Sequence, residues 1–304
     1  MLRALLPVLL FVCIVSCATA PKIKGSAPPE VLGVWEREVD GSVERVAILP
    51  RRVIRVGEQG TEIQLTKYGP SGLWSYFYGR ANLSALALEG HQLRYGDALY
   101  ACSAVAVEAL EPRAIELPAD PGLGPEQVDA IRSEVLERTA RDQGIRAQLG
   151  EEWDAEVVGE MLRIDADNTA RMHALLPEVG WIDAERFGPE AARGAFLIVQ
   201  HSGDIPLMLT AREKVRADWE AGLVSGSQYA LLHDRLELML GRPQVYGSQV
   251  QSSTDEDGNE VSCLAPLTDL HGLDERRAAL GMGPIADYLA QFSEEDVEPF
   301  AWPE

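Results

Sequence analysis

The stretch PADPGLGPEQVDAIRSEV, Pro118 to Val135, divides the chain into two kinds of pattern. Pro121, Gly122, Gly124 and Pro125 interrupt regular structure. Immediately after them Val128, Ile131 and Val135 recur at the three-and-four spacing of one helix face. Upstream, 44–49, 52–56 and 62–66 are short, β-branched and partly alternating. Turn signals separate them at Asp40-Gly41, 57–60, 69–72, Glu89-Gly90 and Gly96-Asp97. Residues 31–118 are therefore expected to form an antiparallel meander or small barrel of about six to eight strands. Downstream, Val157, Met161, Ile164, Met172 and Leu175 form a second stripe, and Ala192, Ala195, Phe196 and Val199 a third. Leu231, Leu232, Leu236, Met239 and Leu240 form a fourth, opened by a capping box of Ser225 and Gln228. Residues 255–263 read as a hairpin, and 274–281 and 284–292 as short helices. The expected fold class is α+β, with a small antiparallel β domain at 31–118 and a mainly α-helical domain with a β hairpin at 119–304. At roughly 150 residues per domain, a chain of 304 residues suggests two domains.

The amino-terminal end has a different character. Arg3 precedes an uncharged apolar run from Ala4 to Val15, too short to span a bilayer and suited to the apolar region of an export signal. Ser16-Cys17 then resembles a bacterial lipobox, which implies cleavage before Cys17 and acylation of that cysteine. Ordinary cleavage after Ala20 also satisfies the small-x-small rule. Residues 1–16 are thus expected to be a signal peptide and 17–30, with Pro21, Gly25, Pro28 and Pro29, a flexible tether. The resemblance to sorting signals, with Ala18 after the cysteine, implies the outer membrane; without lipidation of Cys17 the protein would be periplasmic or secreted. Cys102 and Cys263 remain after processing, to pair or to persist as buried thiols.

Net charge is −21 and the pI about 4.6, which argues against a nucleic-acid partner, since phosphate tracking needs a basic face. The acidity is uneven. Residues 17–119 hold 11 Lys or Arg and 12 Asp or Glu, while 120–304 hold 15 and 36. This reads as a solubilising surface on the helical half. Residues 255–259 imitate the start of a calcium loop, but Glu260 and Pro266 occupy positions that need Gly and Glu. The histidines at 91, 173, 201, 233 and 271 lack zinc-ligand spacing, so no metal and no cofactor is expected.

Polar residues interrupt the apolar stripes. Arg235 follows Leu232 by three and precedes Met239 by four, which places a cation on the leucine face. An unpaired charge buried there is too costly, so a carboxylate or several carbonyls are expected around it. Asn168 falls between Ile164 and Met172, with Asp165 one residue off that line; Asp142 extends the first stripe, and Gln200 and His201 close the third. These groups either converge on one polar pocket or cap and pair helices internally.

Asp142-Gln143 with Arg146, Asp167-Asn168, Gly180-Trp181 followed by Gly188, Gln200-His201, Leu232 with Asp234-Arg235, and Gln244-Val245-Tyr246-Gly247-Ser248-Gln249 occur in one order. With Asp274, Arg276-Arg277, Gly281-Met282 and Tyr288 they resemble the domain-of-unknown-function family 6624 over roughly 125–292. Ser248 stands where that family has Thr, and Ile182 where it usually has Pro. The resemblance implies a fold and a candidate pocket, with no established activity. Two readings follow from the residues. The first is a lipid-tethered binding or structural module, joined to the membrane by its anchor, whose polar motifs lock helices together and whose β domain contacts an envelope protein or the cell wall. The alternative is a metal-independent hydrolase or lyase, in which His201 is acid or base, Asp142 or Asp234 orients it, and Arg235, Gln244 and Gln249 hold an anionic or polar substrate. Asn168, Gln200 and Tyr246 complete the candidate set.

Overall fold

The computed structural model describes residues 27–50, 52–57, 60–69, 72–76, 83–149, 154–254 and 260–291. Eight antiparallel strands come first: β1 Gly33–Val39, β2 Ser42–Ile48, β3 Arg52–Gly57, β4 Gly60–Gly69, β5 Gly72–Tyr76, β6 Leu83–Glu89, β7 Gln92–Tyr95 and β8 Ala98–Cys102. Each pairs with the next, and β8 returns to β1 through Trp35 opposite Cys102, closing a barrel. Asp40 at φ 50 and Gly41 at φ 85 turn β1 into β2; both positive values suit the twist of a two-residue hairpin. Trp35, Val46, Ile48, Val53, Leu86, Leu93, Tyr95 and Tyr100 pack in one buried cluster. Trp35 and Tyr95 are part of this core. The side chains of Trp74, Tyr76, Phe77 and Tyr78 lie outside the described residues. Val34, Ala47 and Ile54 form a cross-strand row on the opposite face and are equally buried, so the barrel wall is covered on both sides there.

The helices are α1 Pro125–Arg146, α2 Ala155–Val179, α3 Ala184–Phe187, α4 Pro189–Ser202, α5 Ile205–Glu220 and α6 Gly226–Met239. The hairpin β9 Val250–Thr254 and β10 Glu260–Leu264 follows, then α7 Leu273–Ala279 and α8 Ile285–Leu289. The Ser225–Gln228 capping box forms at the head of α6, with each backbone N–H bonded by the other's side chain. Gly194 on α4 sits against Thr139 and Val135 of α1, where a side chain would not fit. Helix α5 has no counterpart among the expected stripes. Its signal is Asp204, whose carboxylate accepts from the Leu207 N–H, followed by Pro206 in the first turn.

The chain forms two compact units. One combines Met1–Glu111 with Glu237–Glu304, and the other is Pro112–Leu236. Within the first, Arg52 pairs with Glu111 and donates to the Leu240 carbonyl at 3.2 Å. Cys102 is a free, exposed thiol, which corrects the expectation of a buried one; the Cys263 side chain, Cys17, the signal, residues 17–26 of the tether and residues 255–259 lie outside the described residues. Among the described residues no helix is long and apolar enough to cross a membrane.

Candidate polar centre of the helical unit

In the Pro112–Leu236 unit, helix α4 packs on α1 and α2, and the polar interruptions of their stripes meet there. Asp142 is fully buried. His201 Nδ1 lies 3.0 Å from each of its carboxylate oxygens, Arg146 Nη1 donates to Oδ1 at 2.5 Å, and Gln143 Nε2 donates to Oδ2 at 2.7 Å. The second guanidinium nitrogen of Arg146 donates to both oxygens of Asp165, at 2.7 and 2.8 Å, so one buried cation bridges carboxylates on α1 and α2. One turn along α2, Asn168 Oδ1 accepts from Arg138 at 3.1 Å, and its Nδ2 has no hydrogen-bond partner among the described residues.

Opposing forces set the charge states. Burial pushes Asp142 up, but hydrogen bonding and attraction from His201, with help from Arg146 and Gln143, hold it below the usual carboxylate range. Burial raises Asp165, and Arg146 offsets only part of that. Burial lowers His201; Asp142 pulls it back up, while Arg146 and Arg235 push it down, and the net shift is downward. At neutral pH the imidazole is neutral. The adjacent carboxylate places its proton on Nδ1 and the lone pair on Nε2.

Gln200 is buried beside His201. Its Nε2 reaches the Leu231 carbonyl at 3.5 Å, and its Oε1 has no hydrogen-bond partner among the described residues. Arg235, one turn beyond Leu231 on α6, is half-buried, and no described residue forms a hydrogen bond or ion pair with its guanidinium. The partner that the sequence predicts is missing among the described residues, which a half-buried cation tolerates better than a fully buried one. Asp234 is fully buried.

Gln244, Tyr246 and Gln249 belong to the other unit and form a loop brace. The fully buried Gln244 amide donates to the Gln249 and Ala265 carbonyls at 3.0 and 2.7 Å and accepts from the Gln249 N–H at 2.9 Å. Arg276 holds the Val245 carbonyl, Arg277 the Tyr246 carbonyl at 2.9 Å, and the Tyr288 hydroxyl the Ser248 carbonyl at 2.7 Å. Gly247 has φ +63, and a Cβ there would meet Ile285 at 3.1 Å. Asp274 accepts from the Ile285 N–H at 2.8 Å, fixing the following helix. The turn after α2 is held in a similar way, with Arg186 donating to the carbonyls of Val179 and Trp181.

The structure thus brings Asp142, His201, Gln200, Asn168 and Arg235 onto facing helices, and adds Arg146 and Asp165 as the ion-pair bridge. Their three-and-four spacing on α1 and α2 was the available signal, but nothing local tells which carboxylate a guanidinium will choose. Among the described residues no group of His, Cys, Asp and Glu is arranged to hold a metal.

The fold and the centre define an α+β protein in which an eight-stranded barrel accompanies a helical unit built around a buried carboxylate, imidazole and guanidinium network. The chain matches the family of unknown function DUF6624 over residues 129–297, more than half its length, and belongs to that family. No curated protein and no solved structure matches it.

Proposed function

We propose that this is an exported protein of the bacterial cell envelope, anchored through an acylated Cys17 at the outer membrane, whose helical unit is a binding module for an envelope or cell-wall partner. The apolar run Ala4–Val15 ending in Ser16-Cys17 supports the anchor. The observation that carries the binding role is Arg235, a half-buried cation on a packed helix with no protein partner among the described residues. Gln244 argues in the same direction, because all of its amide bonding goes to backbone and it has nothing left for a substrate. A second reading, acid–base catalysis, is favoured by one feature: the 3.0 Å contacts from Asp142 orient His201 as a neutral base. Mass spectrometry of the mature amino terminus tests the anchor. Acylated Cys17 is expected, and a free terminus at Pro21 refutes lipidation while leaving export intact. Incubation with solubilised cell-wall fragments separates the roles: binding without turnover is expected, and turnover abolished by His201→Ala overturns the binding module.

A further inference from the structure

Helices α4 and α6 approach where the Gln200 amide reaches the Leu231 carbonyl at 3.5 Å, and the Arg235 charge is felt at His201. Gln200 and His201 are adjacent on α4. Leu231 and Arg235 are four apart and so share one face of α6. Around His201 stand Asp142 and Arg146 from α1, Asp165 from α2 and Arg235 from α6. Asp142 and Asp165 already share Arg146, so the Arg235 charge is the one that no described carboxylate balances by contact. The Gln200 Oε1 is a buried acceptor without a donor among the described residues, which costs free energy that a suitable ligand would recover. The two needs differ. Arg235 calls for an oxyanion, whose geometry its planar fork matches, and Gln200 calls for a hydrogen-bond donor.

We propose that Gln200, His201 and Arg235 form a subsite for a small oxyanion that carries its own hydroxyl or N–H donor, the chemistry shared by hydrogen phosphate and a hydroxy- or amino-carboxylate. This rests on the binding-module reading and names the chemistry of its ligand. The anion pairs with the Arg235 guanidinium, and the donor bonds the Gln200 carbonyl oxygen. An anion beside His201 offsets the positive potential of Arg235 and Arg146 on the imidazole, so binding favours proton uptake there.

The test is calorimetric titration of the full chain with inorganic phosphate, against chloride at matched ionic strength. Saturable binding that tightens from pH 7.5 to pH 6 is expected. Arg235→Met should weaken it about tenfold or more, and Arg235→Lys, which keeps the charge and loses the fork, by less. Thermal unfolding verifies that each variant is folded. Glycolate and acetate, alike in charge but not in the hydroxyl donor, report on Gln200: glycolate should bind more tightly, and Gln200→Leu should remove the difference. Equal phosphate affinity in Arg235→Met, or no heat beyond the chloride control, overturns the subsite. In that event retained binding of cell-wall fragments would leave the module standing, whereas loss of both would remove the two together.

Discussion

Replacing Arg146 with Met tests whether the polar centre is held together by its ion pairs. The side chain is 8% exposed, and its partners Asp142 and Asp165 are 0% and 14% exposed. Met keeps most of the apolar stem and removes the charge. Asp142 retains its contacts with His201 and Gln143, so the stranded group is chiefly Asp165. Removing one member of a buried pair costs about 3–5 kcal/mol. In a unit the size of Pro112–Leu236 each kcal/mol moves the melting temperature by ~3–5 °C, so the midpoint followed by circular dichroism at the helix band should drop by ~10–25 °C. Asp165 already lies above the usual carboxylate range, so it escapes by taking a proton, and the loss should be smaller at pH 5 than at pH 8. Arg146→Met with Asp165→Asn should recover at least half of the loss. Arg235→Met, which breaks no described pair, should stay within about 0.5 kcal/mol of the parent. A drop of under about 1 kcal/mol in Arg146→Met, or no recovery in the double variant, would refute the reasoning.

Gly194→Ala should cost about 1–3 kcal/mol in urea unfolding, because the added methyl collides with Thr139 Oγ1 and lies 3.3 Å from its Cβ; adding Thr139→Ala should relieve most of this. Gln244→Leu removes the acceptor of the Gln249 N–H and the side-chain donor to the Ala265 carbonyl and should cost about 2–4 kcal/mol, with faster hydrogen exchange at the Gln249 amide as the direct readout. The folded-state pKa of His201 lies below its ordinary value, so as pH falls through about 6.5 the unfolded chain takes the proton first and stability declines; His201→Gln should flatten that slope. Glu134, drawn down to about 2 by Arg171 and then Arg138, should subtract further stability as pH falls below about 4.5, and Glu134→Gln should remove that acid limb.

The change of period at Pro121–Pro125 was legible because a strand and a helix write different hydrophobic spacings, and the barrel and helices follow it. Asn168 and Asp142 were legible as anomalies, polar groups on lines of Met, Ile and Val. What those anomalies meant was not legible. Arg146 chooses Asp165, 19 residues away and one position off the apolar line, because α1 and α2 pack together there, and no local pattern encodes that contact. The loop Gln244–Gln249 reads as a candidate site through its resemblance to the family's motif and its two amides suited to a polar substrate. Its partners Arg276, Arg277 and Tyr288 lie about 30 to 40 residues downstream, and only with them in place does the loop become a brace. Helix α5 escaped notice because its buried face mixes Thr210 and Ala211 with larger residues, and its clearest mark is a single capping Asp.

The division of the chain after Leu236 falls inside α6. A polypeptide made from its amino end delivers the barrel strands first and the segment that joins their unit only after a whole helical unit. The entropic cost of joining such distant pieces grows only as the logarithm of the intervening length, and it shrinks if the intervening residues have already condensed. The economical order is therefore inside-out: the inserted helices settle, α6 extends past Leu236, and its last turn, carrying Glu237 and its ion pair with Arg242, starts the return to the barrel's unit. A chain halted before Glu237 would hold every residue of the polar centre and yet leave the first unit lacking more than a third of its sequence, a kinetic vulnerability that no single contact reveals.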